Sequence, residues 1–178
     1  MATYIAFLRG INVGAHNRMK MNDLWALVES LGFDDVETYI QSGNVIFESA
    51  DGEETELRAT IHDAIEDEFG YDITVMIRTQ AELSEIVAGQ PFDISGTKGI
   101  KHYVTFLDEE PTNEQLDALL AAESDAEQFE IRGREVYSEL DKEALGNGRF
   151  TDVGKTLGMT ATRRTWDVVT AIEERVSA

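Results

Sequence analysis

Apolar residues recur along this chain with two distinct periods. Thr3 to Leu8 is a mostly apolar run with the length of a core strand. A polar, glycine-marked stretch follows as far as Asn22, which can cap a helix whose Leu24, Leu27, Val28 and Leu31 fall at i, i+3, i+4 and i+7, with Gly32 as its stop. Val36 to Gln41 and Asn44 to Glu48 are β-rich runs joined through Ser42 and Gly43, where glycine supplies the positive φ of a tight hairpin. Leu57, Ile61, Ala64, Ile65 and Phe69 form the apolar stripe of a second helix ended by Gly70, and Ile73, Val75 and Ile77 alternate as a fourth strand.

Strand, helix, strand, strand, helix, strand is the split βαβ order of the ferredoxin-like fold. Thr79 and Glu82 then form a capping box for a connecting helix carrying Leu83, Ile86 and Val87, and Gly89 to Gly99 reads as a linker. The order begins again with a strand from His102 to Leu107, a helix from Thr112 through Leu120, and strands Phe129 to Arg132 and Glu135 to Leu140 around Gly133. Two helices close the chain, Asp152 to Leu157 and Arg163 to Val176. The expectation is an α+β protein with two ferredoxin-like (α/β plait) half-domains, 1–78 and 101–178, joined by a connecting helix and linker over 79–100. The second half lacks a last strand and ends in C-terminal helices.

Charge changes the picture. The chain carries 35 Asp plus Glu against 15 Lys plus Arg, a net charge of -20, which opposes general attraction to nucleic acid or anionic membranes. There is no cysteine, so disulfides, thiolate metal sites and cysteine nucleophiles are excluded. His16, His62 and His102 lie too far apart for a helical zinc spacing, and neither a phosphate-binding Gly-x-x-x-x-Gly-Lys loop nor a Gly-x-Ser-x-Gly elbow occurs. No cofactor and no metal are expected. The apolar run at the amino terminus is shorter than a secretory signal, and no stretch has the length of a membrane span, so a soluble, cytoplasmic protein is expected. Ten of the 15 cations are Arg, and with this acidity the balance fits a surface adapted to a salt-rich cytoplasm, as in halophiles.

Three windows escape the acidity. Met1 to Asn22, Ile94 to Leu107 and Val153 to Trp166 contain no carboxylate and carry eight cations between them. Burial explains the apolar strands, but Arg9 to Lys20 is too polar for core and longer than an ordinary connection. Gly10 and Gly14 allow close backbone approach to a ligand, and the helix start near Asn22 adds partial positive charge. In a ferredoxin-like unit this loop and the hairpin between the second and third strands emerge at the same end of the sheet. Arg9, Asn12, Arg18, Lys20, Gln41, Ser42 and Asn44 would then gather there as donors for phosphate or carboxylate. Arg163 and Arg164, read as opening the last helix, would face unfavourable partial charge unless an anion or a carboxylate offset it, and they join the candidate set.

Tyr4 to Gly14, Leu31-Gly32-Phe33 and Thr38 to Phe47 resemble the signature blocks of a family of unknown function, domain of unknown function 1697. Ala161 to Thr170 is similar to that family's Thr-x-Arg-Asn-Trp-x-Thr-Val segment, with Thr165 where the family usually has Asn and Val168 where it usually has Thr. The resemblance implies a pair of ferredoxin-like units and no established activity.

Three functions remain. The first is a binding module or an enzyme acting on a small phosphorylated or carboxylated anion. The second is a single-stranded nucleic-acid binder using Tyr4 and Phe47 as stacking rings, which the charge disfavours. The third is a structural protein without ligand. Trp25, Phe33 and Trp166 read as core, His16 as an exposed loop residue, Asp108 to Glu110 as a solvated turn, and no nucleophile with a base partner is visible.

Overall fold

The chain forms two four-stranded antiparallel sheets, with strand orders β2-β3-β1-β4 and β6-β7-β5-β8. In a computed structural model, residues 1–50, 52–96 and 98–177 are described. Asp51, Thr97 and Ala178 lie outside them, and with Thr97 so does part of the stretch read as a linker. The chain divides into two compact units, Met1–Ser84 with Ile172–Ala178, and Glu85–Ala171.

The first unit runs β1 (Ala2–Leu8), α1 (Met21–Ser30), β2 (Asp34–Tyr39), β3 (Asn44–Ser49), α2 (Glu54–Phe69) and β4 (Val75–Thr79). It also holds most of α3 (Gln80–Ala88). One face of the sheet (Ala6, Leu8, Val45, Phe47, Val75, Ile77) packs on Leu24 and Val28 of α1 and on Leu57, Ile61 and Ile65 of α2. Alternation puts Ile5, Phe7, Met76 and Arg78 on the opposite face, and all four are buried as well. β1 and β2 both run antiparallel to β3 and so parallel to one another, which brings the β1–α1 loop and the β2–β3 hairpin to one end of the sheet.

The second unit runs β5 (Ile100–Leu107), α4 (Asn113–Leu120), β6 (Glu127–Arg132), β7 (Glu135–Asp141), α5 (Lys142–Leu145), α6 (Val153–Leu157), β8 (Ala161–Thr165) and the first part of α7 (Trp166–Ser177). The expected capping box forms, with Thr79 N donating to Glu82 Oε1 at 2.9 Å and Glu82 N to Thr79 Oγ1 at 3.1 Å, and a second one, between Thr112 and Gln115, opens α4.

Two expectations are corrected. The second half does have a last strand. β8 pairs with β5 antiparallel, Arg163 opposite Thr105, and α7 starts at Trp166 rather than Arg163. β8 lies at the sheet's edge, and its Ala-Thr-Arg-Arg-Thr sequence has no apolar alternation, so periodicity is blind to it. Nor does Asn22 cap α1. Lys20 occupies that position with extended backbone and no side-chain cap, and its carbonyl accepts from Asp23 N and Leu24 N at 3.0 Å.

A candidate anion cleft beside the first helix

The β1–α1 loop is shaped by its own amides. Asn12 sits at φ 55°, a left-handed conformation that Asn tolerates better than most residues. Its Nδ2 donates to Met19 O at 2.9 Å and to Gln41 O at 2.8 Å, while its Oδ1 accepts from Met19 N at 2.8 Å. One side chain thus closes the loop on itself and ties it to the hairpin. Asn17 Nδ2 donates to Gly10 O at 3.2 Å, and Tyr71 Oη donates to Arg18 O at 3.0 Å, holding the loop's far end against the segment before β4. Leu8 N donates to Gly43 O at 2.8 Å, and Arg9 N to Thr74 O at 2.9 Å.

These ties leave a cleft of about 380 Å³ lined by Asn12, Arg18, Met19, Lys20, Asp23, Gln41 and Phe69, at the amino end of α1. Arg18 and Lys20 are exposed, and neither makes an ion pair among the described residues. Arg18 spends one donor on Gly14 O at 3.2 Å. The helix end adds partial positive charge, which the first-turn Asp23 partly offsets.

The candidate residues therefore divide. Arg18, Lys20 and Gln41 line the cleft with free polar ends or exposed side chains. Asn12 lines it too, but its amide is consumed in the loop closure, so it acts as a clamp rather than as a ligand. Asn44 is fully buried and donates to Tyr39 O at 2.9 Å and Ser42 Oγ at 3.0 Å, which engages both residues inside the hairpin. Arg9 is exposed and does not line the cleft. Arg163 and Arg164 belong to the second unit and sit on a strand, so the helix-start argument for them falls. Arg164 is buried, its guanidinium donating to Thr162 Oγ1 at 2.9 Å and to Arg163 O at 3.0 Å, and burial pushes its pKa down to about 10.

Sequence reasoning missed Asp23 and Phe69. Phe69 belongs to the α2 apolar stripe, and its place at the helix end, two residues before Tyr71, is the one sign in the sequence of a second role; the two rings stack with centroids 6.2 Å apart. Of the proposed base-stacking pair, Phe47 is 0% exposed and packs against Tyr4 and Phe33, while Tyr4 is half-buried and donates its hydroxyl to Gly52 O. Trp166 is buried as expected, whereas Trp25 is partly exposed and donates to Val36 O at 2.7 Å.

On the outer side of α2, His62, Glu66 and Asp72 place donor atoms within 4.8 Å of one another, a set that could hold a divalent ion. The contacts favour a proton. His62 Nε2 lies 2.7 Å from Asp72 Oδ1 and Nδ1 lies 3.0 Å from Asp63 Oδ1, and these two hydrogen bonds, Asp72's first, raise the imidazole pKa, with Glu66 adding to the effect. A raised folded pKa means the native state holds the proton more tightly than the unfolded chain. The stabilisation is therefore complete below the unfolded value of about 6.5 and is lost as pH rises through the folded pKa. Because the cluster is largely exposed, we expect a loss of no more than about 1 kcal/mol above neutral pH. Urea unfolding at a series of pH values checks this: His62→Gln should flatten that slope, and parallel curves for the two chains would refute it.

Among the described residues no helix is long and apolar enough to cross a membrane. No curated protein matches the chain. Among solved structures, it is similar to the conserved bacterial protein SP0830 from Streptococcus pneumoniae, at 20% identity over 97% of both chains with a TM-score of 0.75, a likeness that speaks to fold alone. A family model described as a protein of unknown function (DUF1697) matches residues 1–137, and on that match the chain belongs to this family.

Proposed function

We propose that the cleft beside α1 binds a small phosphorylated or carboxylated molecule, as the site of a binding module or an enzyme. The observation that carries this reading is the convergence of Arg18, Lys20 and Gln41 on one concave space at a helix amino terminus, with neither cation ion-paired among the described residues of a chain of charge -20. A volume of about 380 Å³ falls within the usual range for small-ligand sites. Asp23 on the same wall favours a ligand that carries a hydroxyl or amine beside its anionic group. We also infer that each unit is a ferredoxin-like plait, because the two sheets share one strand order and the first unit runs β-α-β-β-α-β.

A thermal-shift panel with phosphate, sugar phosphates, nucleotides and short oligonucleotides, at fixed high salt, tests the reading. A ligand at a hundred times its Kd should stabilise by about 2.7 kcal/mol. Arg18→Ala with Lys20→Ala should abolish the shift, and Arg9→Ala should leave it. No shift with any small anion, or a shift with oligonucleotides only, overturns the proposal.

The acid excess supports a further reading, adaptation to high salt. Screening lengthens from about 3 Å at 1 M to 30 Å at 0.01 M, so self-repulsion grows steeply as salt is removed. Helicity should fall when the protein is dialysed from molar to millimolar salt, and a chain that stays folded contradicts it.

A further inference from the structure

Arg163 stands apart from the cleft and from the other cations in how it is held. Its guanidinium carbon lies 4.0 Å from the ring centroid of Tyr103 and 4.0 Å from that of Phe150, so the planar group is held against two aromatic faces at once. A planar guanidinium held against rings still presents its N–H donors in its own plane, along its edge. Among the described residues no acceptor takes those donors and no carboxylate comes within ion-pair distance.

The nearby carboxylates are occupied elsewhere. Glu127 is buried, and its two oxygens accept from Thr151 N at 2.8 and 3.0 Å and from Thr151 Oγ1 at 2.9 Å. Asp152 Oδ1 accepts from Lys155 N at 3.1 Å, capping α6. Burial lowers the Arg163 pKa from its ordinary value, while Tyr103, Glu127 and Asp152 act in the opposite direction.

The floor under Arg163 is also incomplete. Thr105 lies directly across from Arg163 in the β5–β8 ladder, and Ser138 lies directly across from Tyr103 in the β5–β7 ladder, so all four residues share one sheet face. Thr105 is 3% exposed and Ser138 6%, and neither hydroxyl has a hydrogen-bond partner among the described residues. Two buried, unsatisfied hydroxyls on one face are a cost that a native structure ordinarily removes with an ordered water or another bound polar group. Phe150 is 48% exposed and Arg163 half-buried, so the pair lies at the protein surface.

We propose that Arg163, framed by Tyr103 and Phe150 above Thr105 and Ser138, forms an oxyanion site that receives two oxygens of a carboxylate or phosphate along the guanidinium edge. The site lies wholly within the second unit and does not depend on the cleft of the first. Its rings pre-pay the ordering of a long side chain, so the donors meet the ligand already aligned.

The test is a titration of the nitrogen-15-labelled full chain with inorganic phosphate and, separately, acetate, at constant ionic strength. It follows the Arg163 Nε–Hε resonance and the amides of Thr105 and Phe150. We expect saturable shifts at all three, unchanged in the Arg18→Ala, Lys20→Ala chain, so that failure here and failure of the cleft are separately visible. Arg163→Lys keeps the charge but cannot span two oxygens, and the remaining amide response should weaken at least tenfold. Phe150→Leu, at an exposed position that tolerates the change, should weaken it severalfold and guards against loss of folding in the first variant. Shifts that grow linearly without saturation, that chloride reproduces, or that persist with the same midpoint in Arg163→Lys overturn the proposal and leave Arg163 as a strut.

Discussion

Gly43→Ala is expected to cost about 2–5 kcal/mol of folding stability, the largest single-residue effect foreseen for this chain. Gly43 closes the β2–β3 hairpin at φ 87°, where an L side chain carries a penalty of about 1–2 kcal/mol. A Cβ there would also stand 2.6 Å from Ile11 Cδ1 and 2.9 Å from Leu8 Cβ. Ile11 and Leu8 are buried, and Leu8 is anchored by its hydrogen bond to the Gly43 carbonyl, so the hairpin cannot retreat without breaking that bond. Gly14 supplies the control. It has a similar positive φ of 58° but open space around it, so Gly14→Ala should cost only the backbone term, about 1–2 kcal/mol. Denaturant midpoints of the two variants at constant slope measure the difference, and equal losses would mean that packing against Ile11 contributes nothing.

Asn12→Ala is expected to cost about 2–4 kcal/mol and to weaken any ligand of the cleft. The change removes three hydrogen bonds at once and strands the amide of Met19, a residue only 5% exposed, whose acceptor among the described residues is Asn12 Oδ1. It also puts alanine at φ 55°. Asn12→Gly separates these effects: it removes the backbone strain and keeps the loss of hydrogen bonds, so it should recover about 1 kcal/mol of the alanine deficit. If glycine and alanine were equally harmful, strain at this position would be negligible. If both were harmless, the loop would be held by something other than Asn12.

The two variants probe the same junction from opposite sides, the hairpin and the loop that follows β1. Both depend on how β1 and β2 run. Because each is antiparallel to β3, the polar loop and the hairpin tip meet, and Gln41 O comes within reach of Asn12. That meeting follows from the strand order read in the sequence. The division of labour within it does not. Asn12, Arg18 and Lys20 look alike as polar residues of one loop, yet one is spent on main-chain groups while the other two keep their charged ends exposed at the cleft.

Arg163 and Arg164 make the same point from the other unit. Read along the chain they are a cationic pair that could open a helix. The pleat of β8 sends them to opposite faces, one against two rings and the other into the interior. Arg78, one residue before the end of β4, is buried in the first unit as Arg164 is in the second, again just ahead of a threonine at a helix start. Neither arginine advertises its burial, because a long cationic side chain is ordinarily a surface residue.

By itself the amino-acid sequence determined what local interactions decide. The stripes of α1 and α2, the left-handed stop at Gly70, the capping box at Thr79 and the hairpin around Gly43 all depend on residues within a few positions of one another. Only the tertiary structure decided that Ala161–Thr165 is an edge strand, that Asn12 and Asn44 are clamps, that Phe69 and Asp23 complete a cleft, and that Arg163 lies against Tyr103 and Phe150. The partners in those contacts come from other segments of the chain, and a polar side chain carries no periodic mark of which distant group will claim its hydrogen bonds.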